Sequence, residues 1–392
     1  MKKSTLSLIL VIALLLSSCG GEQKKRLTLA DCPVIASKTG DLITLDYSAV
    51  KDTFNVPLGI FLSDYELIRL ENSEEALLGE TGSIAVSENY IGIYNSNPKG
   101  YKLFNRKGEY LRTISSVGQG PDEYFMTIYD SYIDEKNGMI YLLPGMTKKL
   151  LVFDLEGNPQ QRIPFPFMVH KGRFRIDAEK KELIMTALPF LDTPFVTWRQ
   201  DFEGNILQHI DAGHFVIDPG DYGNEVNQSQ NTTAMDFSLF HWGPTVDSLY
   251  HYNEQQNVLE PVFTVKWKGD DIIRHGYTEL PTHYFIDLDF QFTDHVPRHL
   301  RILLDKTTLR GCYANLRFNM LGNIAGPPWL TFNRGYCIAN MFPYELKEQL
   351  KKALLKPERM TLEMKEKLIK LDNSLTEDDN NVLFIGKLKG VE

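Results

Sequence analysis

The chain has 392 residues, with 42 Lys and Arg against 51 Asp and Glu, and its net charge of −9 without a long basic block argues against a nucleic-acid partner. A hydrophobic share of 43% is that of a globular protein, and 18 Tyr and 22 Phe, set in short runs with β-branched residues, favour strands. Four cysteines without CxxC spacing make neither a disulfide framework nor a zinc motif.

The chain opens MKKSTLSLILVIALLLSSCGGEQKK. Lys2 and Lys3 precede an apolar run from Leu6 to Leu16, which is shorter than the roughly 20 residues a membrane-spanning helix needs. Leu16, Ser17 and Ser18 before Cys19 resemble the lipobox of bacterial lipoproteins. The resemblance implies cleavage before Cys19 and acylation of its sulfur and amine, and two or more acyl chains anchor stably. Residues 1–18 are then a signal peptide, 19–32 a lipidated tether, and 33–392 one domain. The expected location is the bacterial cell envelope, in the outer membrane. After Cys19 only Glu22 is acidic before Lys24, Lys25 and Arg26, so the periplasmic and surface faces both stay open. Of the other cysteines, Cys312 and Cys337 are either bridged or, more simply, two buried free thiols.

Three segments share one plan: YKLFNRKGEYLRTI (101–114), LLVFDLEGNPQQRIPF (150–165) and FVTWRQDFEGNILQHI (195–210). Each is a strand, a polar turn and a second strand. The turn glycines Gly108, Gly157 and Gly204 recur about every 48 residues, and a period of roughly 40–50 with four short strands per repeat is that of propeller blades. A fourth copy turns near Gln255 without a glycine, a looser fifth runs from Phe285 to Phe318, and PWLTF with GYCIANMF begins a sixth. The strands YELIRL (65–70) and NVLFIGKLK (381–389) have no local partner, so pairing them closes the sixth blade and protects both edges. The fold class expected is all-β, a six-bladed β-propeller closed by its N- and C-terminal strands. A helical insertion at about 343–371 carries the stripes Leu346, Leu350, Leu354 and Met364, Leu368, Leu371, broken at Pro357. It is expected to cover one face or edge of the ring.

VGQGPDEYF (117–125) lacks the Lys-Ser/Thr of a phosphate loop and the third glycine of a dinucleotide fingerprint, and it leads into a strand. It reads as the bend between the first two blades. From LGIFLSDYELIRLENSEEALLGE to NRKGEYLRTISSVGQGPDEY, with PYELKEQL and EDDNN later, the sequence resembles the exported six-bladed β-propeller lipoproteins of the Bacteroidetes, which share the architecture of NHL and TolB propellers. Two positions depart from the family's pattern: Asp122 stands where a glycine is usual, and NMLGNIAGPPW (319–329) has lost the acids of a loop that is usually acidic. The resemblance implies a fold and no chemistry.

Two functional readings follow. In the first, the lipid-anchored ring binds a protein, peptide or glycan through its blade connections. Gln119, Asp122 and Glu123 are its candidates in the first connection, and Asp221 and Tyr222 in the long polar loop 214–236, which is expected to project from one face. In the second, the chain is a cation-dependent, lactonase- or esterase-like hydrolase. Its site would come from the cluster 275–300, with Asp287, Asp289, His295 and His299 as cation ligands or acid and base. Pro297 between His295 and His299 excludes a zincin helix. No cofactor and no defined metal set is expected, and binding is favoured over catalysis.

Overall fold

The computed structural model describes residues 28–391 apart from 98, 191, 218–221, 291–298, 328–329 and 357–359. Six antiparallel sheets follow one another along the chain and form a six-bladed propeller. Blade one is Thr81–Val86, Tyr90–Ser96, Lys99–Asn105 and Tyr110–Ser115, and blade two is Ile128–Asp134, Met139–Pro144, Thr147–Asp154 and Ile163–Val169. Blade three is Gly172–Asp177, Glu182–Ala187, Phe195–Asp201 and Ile206–Asp211. The turns that define the period behave as expected: Gly108, Gly157 and Gly204 have φ of 86°, 85° and 93°, and Asn257 takes φ 54° in the copy without a glycine. In two of these turns an aspartate locks the geometry, Asp154 accepting from the Asn158 N–H and Asp201 from the Asn205 N–H, both at 2.8 Å.

Blades four and five begin earlier than the hydrophobic pattern indicates. The innermost strand of blade four is Glu225–Asn227, followed by Asp236–Phe240, Ser248–Asn253 and Val258–Lys266. Blade five starts at Arg274–Glu279 and continues through His283–Asp289, His299–Asp305 and Gly311–Phe318. The N-terminal segment runs along their outer edges. Leu42–Asp46 pairs in parallel with Val258–Lys266, and Thr53–Pro57 in parallel with Gly311–Phe318. These two added strands cover sheet edges that would otherwise be open to pairing.

The chain then reaches blade six, where Leu62–Arg69 is the outermost strand. Val382–Leu388 lies between it and Tyr336–Met341, with Thr331–Asn333 innermost. The register runs antiparallel from Val382 opposite Arg69 to Leu388 opposite Leu62, so the two ends of the chain close the ring as expected. Helices α1 (Pro343–Leu354) and α2 (Leu362–Ser374) bury Leu346, Leu350 and Leu368 in a cluster with Phe318, Leu321 and Phe384, covering the outer part of blades five and six. Among the described residues no helix is long and apolar enough to cross a membrane.

The folded body takes in part of the expected tether: Leu29–Asp31 makes a 3-10 turn and Cys32 is buried. No Cys312–Cys337 bridge forms; Cys32, Cys312 and Cys337 are free and buried. Cys312 is in side-chain contact with Cys32, and burial followed by that contact pushes its thiol up to about 12. Such thiols are inert as nucleophiles.

Candidate functional site

The inner strands of all six blades surround a cavity of about 980 Å³. Thr81 and Ser83 line it from blade one, Tyr129 and Asp130 from blade two, and Arg173 from blade three. Glu225 and Asn227 line it from blade four, Gly276 and Thr278 from blade five, and Thr331 and Asn333 from blade six. Asn340 also faces it and donates to the Thr81 hydroxyl at 2.9 Å, tying blade six to blade one. Blades one and two meet through the Ser83 and Ser131 hydroxyls, 3.0 Å apart.

One end of the channel is closed by the turn between the first two strands of blade four. Asn231, fully buried, donates to the carbonyls of Glu279 in blade five and Phe332 in blade six, both at 3.0 Å, and accepts from the Gly335 N–H at 3.0 Å. Gln230 donates to the Phe174 carbonyl of blade three at 2.9 Å. Arg334 completes the floor, donating to Gln230 Oε1 at 2.8 Å, the Phe174 carbonyl at 2.8 Å and the Asp130 carboxylate of blade two at 3.0 Å. Groups from five blades converge on these few side chains, which places them on the ring axis. Asp236 holds the turn by accepting from the Ser229 N–H, Ser229 Oγ and the Gln230 N–H at 2.7–2.8 Å. Burial raises its carboxyl above the usual range against those donors, and the neighbouring Glu279 charge adds to the rise. For Glu279, burial also works to raise the carboxyl, but His251 at 2.6 Å and Lys306 at 2.5 Å hold it below the usual range.

The described parts of the polar segment 214–236 therefore do not project as a loop. Within it, Gly213–Phe215 makes a 3-10 turn with its neighbour, Glu225–Asn227 is an inner strand, and 228–236 is the channel floor. Tyr222, one of its two candidates, is 52% exposed beside the channel mouth, and its carbonyl accepts from Lys171 Nζ at 2.6 Å. The other, Asp221, lies outside the described residues. Trp242, 42% exposed, stands against Gly223, where a Cβ would lie 2.4 Å from its ring, so only glycine lets the chain pass there. On its other side the Arg274 guanidinium sits 4.2 Å from the Trp242 ring and 4.3 Å from that of Phe240.

The remaining sequence candidates are dispersed. Gln119, Asp122 and Glu123 do not line the cavity. The Glu123 carboxylate folds back to accept from the Gly120 N–H at 2.7 Å, in the space a side chain on Gly118 would need. Asp122 pairs with Arg162 at 2.9 Å and fastens the bend to blade two. The loop is a self-capped turn whose donor is already taken. Asp287 and Asp289 share a face of their strand, and Asp287 does line the cavity. They form no joint cation site, because each has its own arginine: Asp287 pairs with Arg301 at 2.5 Å and Asp289 with Arg274 at 3.4 Å. His299 is exposed at the start of its strand opposite Asp289, and His295 lies outside the described residues, as does Cys19. Among the described residues no three His, Cys, Asp or Glu side chains converge as a metal set. The side chains that sequence reasoning missed are Arg173, Asn227, Asn231 and Arg334. Arg173 lies in RFRIDA, which reads only as strand.

His275, in the same polar cluster, is a core residue. Its Nδ1 donates to the Ile273 carbonyl at 2.7 Å and its Nε2 accepts from the Tyr277 hydroxyl at 2.8 Å. Burial lowers its pKa to about 4. The unfolded chain takes up a proton there near pH 6.5, and the folded chain does not until about pH 4. Stability from this residue is therefore flat above pH 6.5 and falls as the pH drops from 6.5 towards 4, by on the order of 3 kcal/mol. Urea unfolding from pH 7 to pH 5 should show the fall, and the His275→Gln variant should flatten it. An unchanged slope in that variant would rule out His275 as the cause.

A family model described as a domain of unknown function (DUF4934) matches residues 42–387. No curated protein matches the sequence. Among solved structures, the chain is similar to a protein of Bacteroides fragilis described as exported, at 15% identity and a TM-score of 0.58, over 88% of this chain and 99% of that one. It is also similar to a DUF4221 family member from Bacteroides vulgatus, at 11% identity and a TM-score of 0.44, over 83% and 96% of the two chains. A periplasmic gluconolactonase of Pseudomonas aeruginosa matches at 11% identity and a TM-score of 0.37, over 60% and 69%. At 15% identity the Bacteroides fragilis likeness is one of fold.

Proposed function

The chain belongs to the DUF4934 family, and from its channel we propose that it is an envelope binding module whose ligand is a saccharide, held to the membrane by lipid on Cys19. The observation that carries the reading is the composition of the cavity. Its wall is built of side-chain amides and hydroxyls, among them Asn227, Asn333, Asn340, Thr81, Thr278 and Thr331, with the rings of Tyr129 and Phe240 between them. Amides and hydroxyls exchange hydrogen bonds with sugar hydroxyls, and ring faces cover the apolar faces of pyranoses. Tyr222 and Trp242 at the mouth add exposed rings on which a longer chain can rest. Three of the four acids of the cavity, Asp130, Glu225 and Asp287, are each tied to a basic side chain, which favours binding over catalysis.

The test is a saccharide array read by Trp242 emission in the purified chain. At least one saccharide should change the emission saturably, and Trp242→Phe should remove that change. An array that is blank by both emission and calorimetry would end the proposal. Replacing Cys19 by Ala should move the protein from the membrane fraction to the soluble fraction.

A further inference from the structure

Resting on the saccharide reading of the channel, we infer that Arg173 is an anchor for a carboxylate and that the ligand is an acidic saccharide carrying a uronic acid. Arg173 lies at the start of the inner strand of blade three and faces the cavity half-buried. Among the described residues its guanidinium donates through Nη1 alone, to the carbonyls of Tyr129 and Gly172. No carboxylate lies within ion-pair distance of it among those residues.

Three of the four acids on the cavity have a base of their own. Asp130 is paired with Arg334 at 3.0 Å, Glu225 with Lys171 at 2.5 Å and Asp287 with Arg301 at 2.5 Å. Glu80, also on the cavity, is exposed at the rim of blade one. Burial first and then the Glu225 charge raise the Tyr129 hydroxyl, and the Arg173 charge works against them, so both charges are near that hydroxyl. Lys171 holds Glu225 away from service to Arg173. The Arg173 Nε and Nη2 stay open to the channel, and the fork they make fits the two oxygens of a carboxylate. Elsewhere the wall carries neutral amides and hydroxyls, among them Asn227, Thr278 and Asn333. One anionic group on an otherwise neutral polyol matches this arrangement.

Trimers of galacturonate, glucuronate, mannuronate and guluronate, with their methyl esters and the neutral galactotriose, are titrated calorimetrically into the purified chain. At least one acid should bind 10-fold or more tighter than its own ester, a comparison that needs no variant. Arg173→Met should erase the difference, and Arg173→Lys, which keeps the charge without the fork, should restore part of it. If esters and galactotriose bind as tightly as the acids, or if the preference survives Arg173→Met, the acidic-ligand inference falls and the saccharide site stands. If no acid, ester or neutral sugar binds, the saccharide site falls with it.

Discussion

A chain that stops at Asn381 does not fold. The missing strand, Val382–Leu388, is the middle of the closing sheet and bonds to Tyr336–Met341 on one side and Leu62–Arg69 on the other. It buries Val382, Leu383, Phe384, Ile385 and Leu388, each 2% exposed or less. At about 1.5–3 kcal/mol for each such side chain, their burial is worth roughly 10 kcal/mol, as much as the whole net stability of a typical domain. Losing the strand also opens two sheet edges at the ring seam. The milder variant Phe384→Ala removes a ring packed edge-on to Phe318 at 4.6 Å and stacked with Tyr65 at 5.8 Å, and should cost about 3–5 kcal/mol. Circular dichroism should show no cooperative melt in the truncated chain and a lowered melting temperature in Phe384→Ala. A truncated chain melting like the intact one would mean that blade six does not close the ring.

Replacing Arg334 by Ala should cost about 3–5 kcal/mol as well, for a different reason. The Asp130 carboxylate, 6% exposed, would stay behind without its only basic partner among the described residues. Gln230 Oε1 and the Phe174 carbonyl would each lose a donor. Because Arg334 is the tie between blade six, the floor turn and blades two and three, hydrogen exchange should quicken in 228–236 before the outer strands. The double variant Asp130→Asn with Arg334→Ala should recover part of the loss, since the orphaned charge is gone. If the single variant melts within a degree of the parent, Arg334 does not hold the floor.

Much of the ring was legible in the sequence, and the reason is physical. The third strands of the blades bury apolar side chains, so YKLFN, LLVFD and FVTWR stand out, and positive-φ glycines mark the turns that follow them. The closure was legible because two apolar strands, 65–70 and 381–389, had no local partner. The inner strands were not legible in the same way. Asn227, Gly276 and Thr278 turn to a polar channel, so Glu225–Asn227 and Arg274–Glu279 look like loop or cluster rather than strand. Nothing local shows that Asn231 and Asp236 are buried, because the groups that satisfy Asn231 come from blades five and six. The same holds for the edge strands Leu42–Asp46 and Thr53–Pro57, whose partners are distant in sequence. At the site, Tyr222 and Asp287 were named from sequence and do stand at the mouth and in the wall, whereas Arg173 gave no signal, since its environment exists only in the closed ring.

Binding in the channel makes a sharp demand on Asn227→Leu. Asn227 faces the cavity and its side chain makes no hydrogen bond among the described residues, so the change should leave the melting temperature alone. Each saccharide that binds the parent chain is titrated into the variant. A bound sugar that loses its amide partner should weaken by about 10-fold, the cost of one unmade hydrogen bond. Unchanged affinity for every sugar would place the binding surface outside the channel.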